Sequence, residues 1–160
     1  MKKLLLLLVL VGGGFYLYQN RVGGPPREIE DPVFGEMRVT ADIEGREIEM
    51  AVFVRAADEE DCQGRGSVGW KKVMEDCPTC KVEKVRCQDD LPPRYARLFD
   101  DVPIPSAYLS ASAGLADERD GRVVVYGLTA DEGMQVCGAL KTRIRKTYKG
   151  ELNCIEPSGG

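Results

Sequence analysis

The chain has 160 residues with 22 basic and 26 acidic side chains, a formal net charge of −4, six cysteines and no histidine. The lack of histidine excludes a Ser-His-Asp triad, a Cys-His pair, a histidine general base and zinc sites that need imidazole. The acidic balance argues against a nucleic-acid partner. Since no phosphate-binding loop or nucleophile-elbow motif is present either, we expect no catalytic residue, no cofactor and no metal.

The N-terminal stretch has the pattern of an export signal. Lys2 and Lys3 precede an apolar run over residues 4–18. As a helix this run would reach about 22 Å, somewhat short of the roughly 30 Å hydrocarbon layer. We expect residues 1–20 to be an uncleaved anchor in a bacterial inner membrane, with the N-terminus cytoplasmic and the remainder periplasmic. The alternative is a cleaved signal peptide and a soluble periplasmic protein.

The rest of the chain divides by composition. Residues 21–33 are rich in glycine, proline and charge, which is typical of a linker. Residues 34–156 carry the periodic patterns of a folded, exported domain. Residues 157–160 are interpreted as a flexible tail.

The first half of the domain begins with a hairpin. Apolar and polar residues alternate over 36–43 and again over 46–56, with Glu44-Gly45 between them as the turn. Asp58 then caps a helix that extends to about residue 76, and its three glycines predict that it is bent or closely packed. A strand over residues 81–87 closes this half.

The second half repeats that order. Strands are predicted over 104–112 and 121–127, and Thr129 with Glu132 has the spacing of a capping box at the start of a helix. A last strand follows over 151–156. Hairpin, helix and strand thus occur twice, over about 36–88 and 104–155. We predict an α+β fold of two ββαβ-like halves, with a roughly six-stranded, mainly antiparallel sheet (or two small sheets) and two helices on one face.

The six cysteines, an even number, favour an oxidising compartment and a disulfide framework. From Cys62 to the end of its helix near Asp76 is about 21 Å, and the returning strand from Lys81 to Cys87 covers about 20 Å. The two distances match, so Cys62 and Cys87 should lie side by side.

The same comparison in the second half, with a looser match, pairs Cys137 with Cys154, which leaves Cys77 and Cys80 for each other. The C-x-x-C spacing of Cys77 and Cys80 also occurs in redox enzymes, metal sites and haem attachment sites. In redox enzymes the first cysteine begins a helix, whose dipole stabilises the thiolate. Here the motif follows a helix, so we predict a structural Cys77–Cys80 bond.

The connection between the halves, residues 89–106, is the least regular part of the domain. Arginine and aromatic side chains occur together there, a composition typical of interface hot spots, so we name four residues as a partner surface: Arg94, Tyr95, Arg97 and Phe99. The alternative is a connector whose aromatic rings fill the core. The acidic residues at 100–101 and 116–120 are interpreted as solvated loop charge.

These observations favour a membrane-tethered envelope domain that is not an enzyme and that binds another envelope protein. A thiol–disulfide oxidoreductase that uses Cys77 and Cys80 is one alternative. A module that binds a small ligand or glycan between the halves is another.

Overall fold

The computed structural model describes residues 29–43, 45–76, 80–83, 85–115 and 117–159. The predicted anchor, most of the predicted linker and Cys77 lie outside these ranges. Within them, no helix has both the length and the apolar character needed to cross a membrane.

The strands of the described residues form a single antiparallel sheet. They are β1 Val33–Ile43, β2 Arg46–Ala56, β3 Lys81–Val82, β4 Arg86–Gln88, β5 Tyr108–Ser112, β6 Gly121–Tyr126 and β7 Glu151–Ile155. The order across the sheet is β3–β1–β2–β6–β5–β7, and β4 pairs with β1 beyond the end of β3. The α+β class and the antiparallel pairing were predicted, but the sheet has seven strands instead of six.

The additional strand arises because the predicted strand over residues 81–87 is interrupted. Val82 of β3 pairs with Val39, and Arg86 of β4 pairs with Glu36. Three residues therefore separate Val82 from Arg86, whereas only two separate their partners on β1. One extra residue of this kind makes a bulge. Val85, in the bulge, packs closely on the first long helix: a Cβ built on Gly66 would lie 2.6 Å from Val85 Cγ1.

The described residues contain three helices instead of the predicted two: α1 Glu59–Asp76, α2 Pro93–Ala96 and α3 Ala130–Ile144. The short α2 and the 3-10 turn after it, Arg97–Asp100, lie in the connection between the halves. The predicted capping box is confirmed, because Thr129 accepts a hydrogen bond from the Glu132 N–H and the Glu132 carboxylate accepts one from the Thr129 N–H.

Both faces of the sheet are covered. The register aligns Val52 with Val123 and Val123 with Leu109, and this face carries the long helices α1 and α3. The opposite face presents residues such as Phe53 and Val124 to the connection between the halves. Strands β2 and β6 are therefore covered on both sides. Their connection side is buried, as at Phe53 and Val124, whereas Val52 and Val123 on the helix side are half-buried.

Two disulfides fasten the long helices to the sheet. Cys62 of α1 bonds Cys87 of β4 with a Cα–Cα distance of 6.1 Å, and Cys137 of α3 bonds Cys154 of β7 at 5.9 Å. Both pairs agree with those predicted from the helix and strand lengths. Cys80 is disulfide-bonded as well, but Cys77 lies outside the described residues, so the Cys77–Cys80 bond stays a prediction.

Candidate functional site

Among the described residues, a cleft of about 940 Å³ opens on the helix side of the sheet. It separates the first half, β1 to β4, from the second half, β5 to β7, and we call it the interhalf cleft. One wall is the N-terminal part of α1. The other consists of the C-terminal end of α3 and the loop between β5 and β6.

Asp61, in the first turn of α1, organises one side of the interhalf cleft. Its Oδ1 lies 2.6 Å from Arg65 Nε and its Oδ2 lies 2.9 Å from Arg119 Nε. The carboxylate also accepts a hydrogen bond of 2.9 Å from the Ala57 N–H, and Arg65 reaches across to donate to the Asp117 carbonyl at 2.8 Å. This network joins the first half to the second.

The electrostatics keep Asp61 ionised. Its partial burial alone would raise the pKa, but the hydrogen bonds from Ala57, Arg65 and Arg119 outweigh that effect and the pKa lies below its usual value. A carboxylate with a lowered pKa and two cationic partners is poorly suited to donate a proton near neutral pH. The network is therefore suited to holding the wall of the cleft in place.

The interhalf cleft also exposes apolar surface. The side chain of Val68, on the rim, is 68 % exposed. Ile144 and Tyr148 of the second half lie in the opposite wall, and burial raises the pKa of Tyr148 to about 12, so its hydroxyl is neutral. Large exposed apolar side chains next to a concave surface are typical of binding sites.

The charge of the interhalf cleft is unbalanced. Its lining has five carboxylates and only two guanidinium groups, and both of these contact Asp61. The surplus carboxylates include two exposed ones, Asp58 immediately before α1 and Glu60 in its first turn. The cleft can therefore accept a ligand that combines positive charge with apolar groups.

The partner surface predicted from the sequence is split between the core and the exterior. Tyr95 and Phe99 are buried, at 8 % and 9 % exposure, whereas Arg94 and Arg97 are exposed. The Tyr95 ring packs on Phe53 at a centroid distance of 4.6 Å. Because the rings cover the second face of the sheet, this segment matches the alternative of a core-filling connector, and only its arginines remain available to a partner.

Arg94 and Tyr95 also border a smaller depression of about 430 Å³ on the face opposite the helices. The Arg38 guanidinium there contacts Glu49, donates to Glu36 at 2.6 Å and donates to the Tyr95 hydroxyl at 2.6 Å. Since the hydrogen-bonding groups of Arg38 are already engaged within the protein, this depression is a weaker candidate than the interhalf cleft.

Sequence reasoning missed the residues of the interhalf cleft. The acidic segment over residues 116–120 was interpreted as solvated loop charge, yet its Arg119 pairs with Asp61, 58 positions earlier. Each half does have an acidic residue in the first turn of its long helix and an arginine at its hairpin turn, but this pattern does not show which arginine and which carboxylate meet.

Comparison with known proteins yields no relative. No protein-family model, curated protein or solved structure matches the chain.

Proposed function

We propose that this chain is a membrane-tethered protein of the bacterial envelope that is not an enzyme and that binds a partner protein in the interhalf cleft. The observation that carries the proposal is the cleft itself, about 940 Å³ in volume and bordered by both halves. Its two helical walls are each fastened to the sheet by a disulfide. Rigid walls lower the entropy that binding costs, so such a surface is organised before the partner arrives.

We also propose that the two halves arose by an internal ββαβ duplication. The strand order runs outwards from the β2–β6 junction in the same sense on both sides: second hairpin strand, first hairpin strand, closing strand. In each half, one disulfide also joins the long helix to the closing strand. A cleft between two such units is a natural position for a binding site.

The chemistry of the interhalf cleft defines the partner. Its surplus of carboxylates attracts lysine or arginine, and the exposed Val68 offers an apolar contact. We therefore expect a polypeptide segment in which basic and apolar side chains alternate or lie close together.

A photo-crosslinking amino acid at Val68 tests the site directly. The full chain would carry it in the cells that naturally produce the protein, and the matched control would carry it at Ile43, an apolar residue of similar exposure at the tip of β1. We expect one partner to be captured from position 68 and not from position 43. Equal capture from both positions, or from neither, would refute the interhalf cleft as the binding site.

A charge reversal tests the expected chemistry of the partner. Glu60→Lys should lower capture from position 68 by about tenfold, because it replaces attraction by repulsion at the rim of the cleft. Asp131→Lys is the matched control, since Asp131 is an exposed acidic residue in the first turn of the other long helix and does not line the cleft. Unchanged capture with Glu60→Lys would contradict a basic partner.

The cellular location is tested separately. A reporter enzyme that needs export should be active when it is fused after Gly160, and the intact mass should retain residues 1–20. A new N-terminus near Phe15 would instead favour the cleaved, soluble form. An inactive reporter would contradict a periplasmic domain.

The alternative activities have their own assays. If Cys77 and Cys80 form an inert structural bond, the purified protein will not accelerate the reduction of insulin, and catalytic turnover in that assay would favour the oxidoreductase. A rise in thermal stability with purified envelope glycans, without capture of a protein from position 68, would favour the glycan-binding module.

A further inference from the structure

A second, smaller space lies beneath α1. It is a cavity of about 140 Å³ between the helix and strands β1 and β2, and its walls include Met37, Val52, Val54, Cys62 and Val85. We call it the anchor cavity. These walls are almost entirely apolar, so the cavity offers little to a water molecule.

The structure explains why the anchor cavity does not collapse. The Cys62–Cys87 disulfide fixes the distance between α1 and the sheet edge, with its Cα atoms 6.1 Å apart. Gly35 allows the close approach of the disulfide to β1, because a Cβ built there would lie 3.2 Å from Cys62 Sγ. Helix and sheet are thus held together covalently around a region that their side chains leave empty.

The anchor cavity adjoins the interhalf cleft. Val54 and Arg65 line both spaces. The Arg65 guanidinium is held at this boundary by Asp61 and by the Asp117 carbonyl. An apolar group that enters from the cleft therefore passes a charged rim before it reaches an apolar interior, the arrangement typical of a hot-spot pocket.

We propose that the anchor cavity takes one apolar side chain, of the size of leucine, methionine or phenylalanine, from the partner segment bound in the interhalf cleft. The volume supports this size, because a dry cavity of about 150 Å³ accommodates a molecule as large as benzene. A basic residue of the same segment would face Asp58 and Glu60 on the rim. This inference rests on the proposed function and adds the anchoring residue of the partner.

Benzene tests the anchor cavity without any partner. It should raise the melting temperature of the purified full chain by about 2 °C, since a ligand that binds only the folded state stabilises it. Val52→Ile, which adds a methylene to the cavity wall, should abolish this rise. Val123→Ile is the matched control, because Val123 pairs with Val52 across the sheet but does not line the cavity. If Val52→Ile does not fold, Ala56→Val adds volume to the cavity from the end of the same strand.

The same variants then test whether the anchor cavity contributes to binding of the partner. With the crosslinker at position 68, capture should fall by about tenfold in Val52→Ile and remain unchanged in Val123→Ile. Loss of the benzene effect together with unchanged capture would overturn the anchor while leaving the proposed function intact. An absent benzene effect in the unmodified chain would overturn the cavity itself, and absent capture in the unmodified chain would overturn both proposals.

Discussion

Arg119 Nε lies 2.9 Å from Asp61 Oδ2, and this ion pair joins the β5–β6 hairpin of the second half to the first turn of α1 in the first half. The reciprocal relationship also exists. Arg46, after the turn of the β1–β2 hairpin, lies 2.9 Å from Glu132 in the first turn of α3. Each half therefore donates an arginine to the helix start of the other, and the interhalf cleft lies beside the first of these links.

The Asp61 link should contribute modestly to stability, and in a pH-dependent way. Asp61→Asn should lower the free energy of unfolding at pH 7 by about 1 kcal/mol, as expected for a partly exposed ion pair. Because the pKa of Asp61 lies below its ordinary 3.8, this contribution is present above that value and is lost as the pH falls through the lower pKa of the folded state. Urea unfolding across this pH range measures it. An equal deficit at the lowest pH would contradict the argument.

The ion pair between Arg46 and Glu132 should be detectable from the titration of the Glu132 carboxyl group. Hydrogen bonds from Arg46 and from the Thr129 N–H and hydroxyl lower the pKa of Glu132 from 4.5 to about 2. Arg46→Gln should raise it, but not to the ordinary value, because the Thr129 bonds remain. Carboxyl carbon NMR measures the change, and Arg145→Gln, which alters an arginine beyond the other end of α3, should leave the pKa where it is. The stabilisation that Glu132 provides is present above about 4.5 and is lost towards pH 2.

The two described disulfides should contribute similarly to stability. They close loops with sequence separations of 25 and 17 residues, so removing either pair as a double Cys→Ala change should cost roughly 3 kcal/mol in the chain-entropy account. The predicted Cys77–Cys80 bond would close a far shorter loop, and its removal should cost less. Urea unfolding of the three double variants provides the comparison. A larger loss from the Cys77 and Cys80 variant would show that this motif holds more of the fold than its loop length implies.

Arg122 should be the most sensitive charged position of the sheet. It is 2 % exposed, its Nε donates to the Leu98 carbonyl at 2.7 Å, and its Nη2 lies 3.1 Å from Asp101 Oδ1. Arg122→Met should lower the free energy of unfolding by about 3 kcal/mol, because buried carbonyl groups lose their hydrogen-bond donors. Hydrogen exchange at the amides of Asp101 and Val102 should accelerate in the same variant.

Arg55→Met is the matched control for Arg122. Both arginines lie over the Phe99 ring, with the guanidinium carbons of Arg122 and Arg55 4.8 and 4.7 Å from its centroid, but the side chain of Arg55 is 37 % exposed. We expect Arg55→Met to lower the free energy of unfolding by less than about 1 kcal/mol, as is usual for a partly exposed ion pair. Equal losses from both variants would show that contact with the Phe99 ring, and not the buried hydrogen bonds, fixes the connection between the halves.

Most of the strands and both long helices could be predicted from the sequence, because these elements depend on neighbours along the chain. Alternation predicted β1 and β2, and the spacing of Thr129 and Glu132 predicted the start of α3. Helix and strand rises sufficed to pair Cys62 with Cys87, since a helix and its returning strand have comparable lengths. A duplicated order of elements also limited the sheet to few arrangements.

The burial of polar side chains and the availability of aromatic side chains to a partner could not be predicted in this way, because both depend on contacts between distant parts of the chain. Arg122 lies in β6 on the face of the sheet opposite the long helices, and it is buried because the connection between the halves folds over that face. The same folding turns Tyr95 and Phe99 into core residues. The interhalf cleft has the same origin: Asp61 and Arg119 are 58 residues apart, and their contact requires the two halves to meet, which no local pattern encodes.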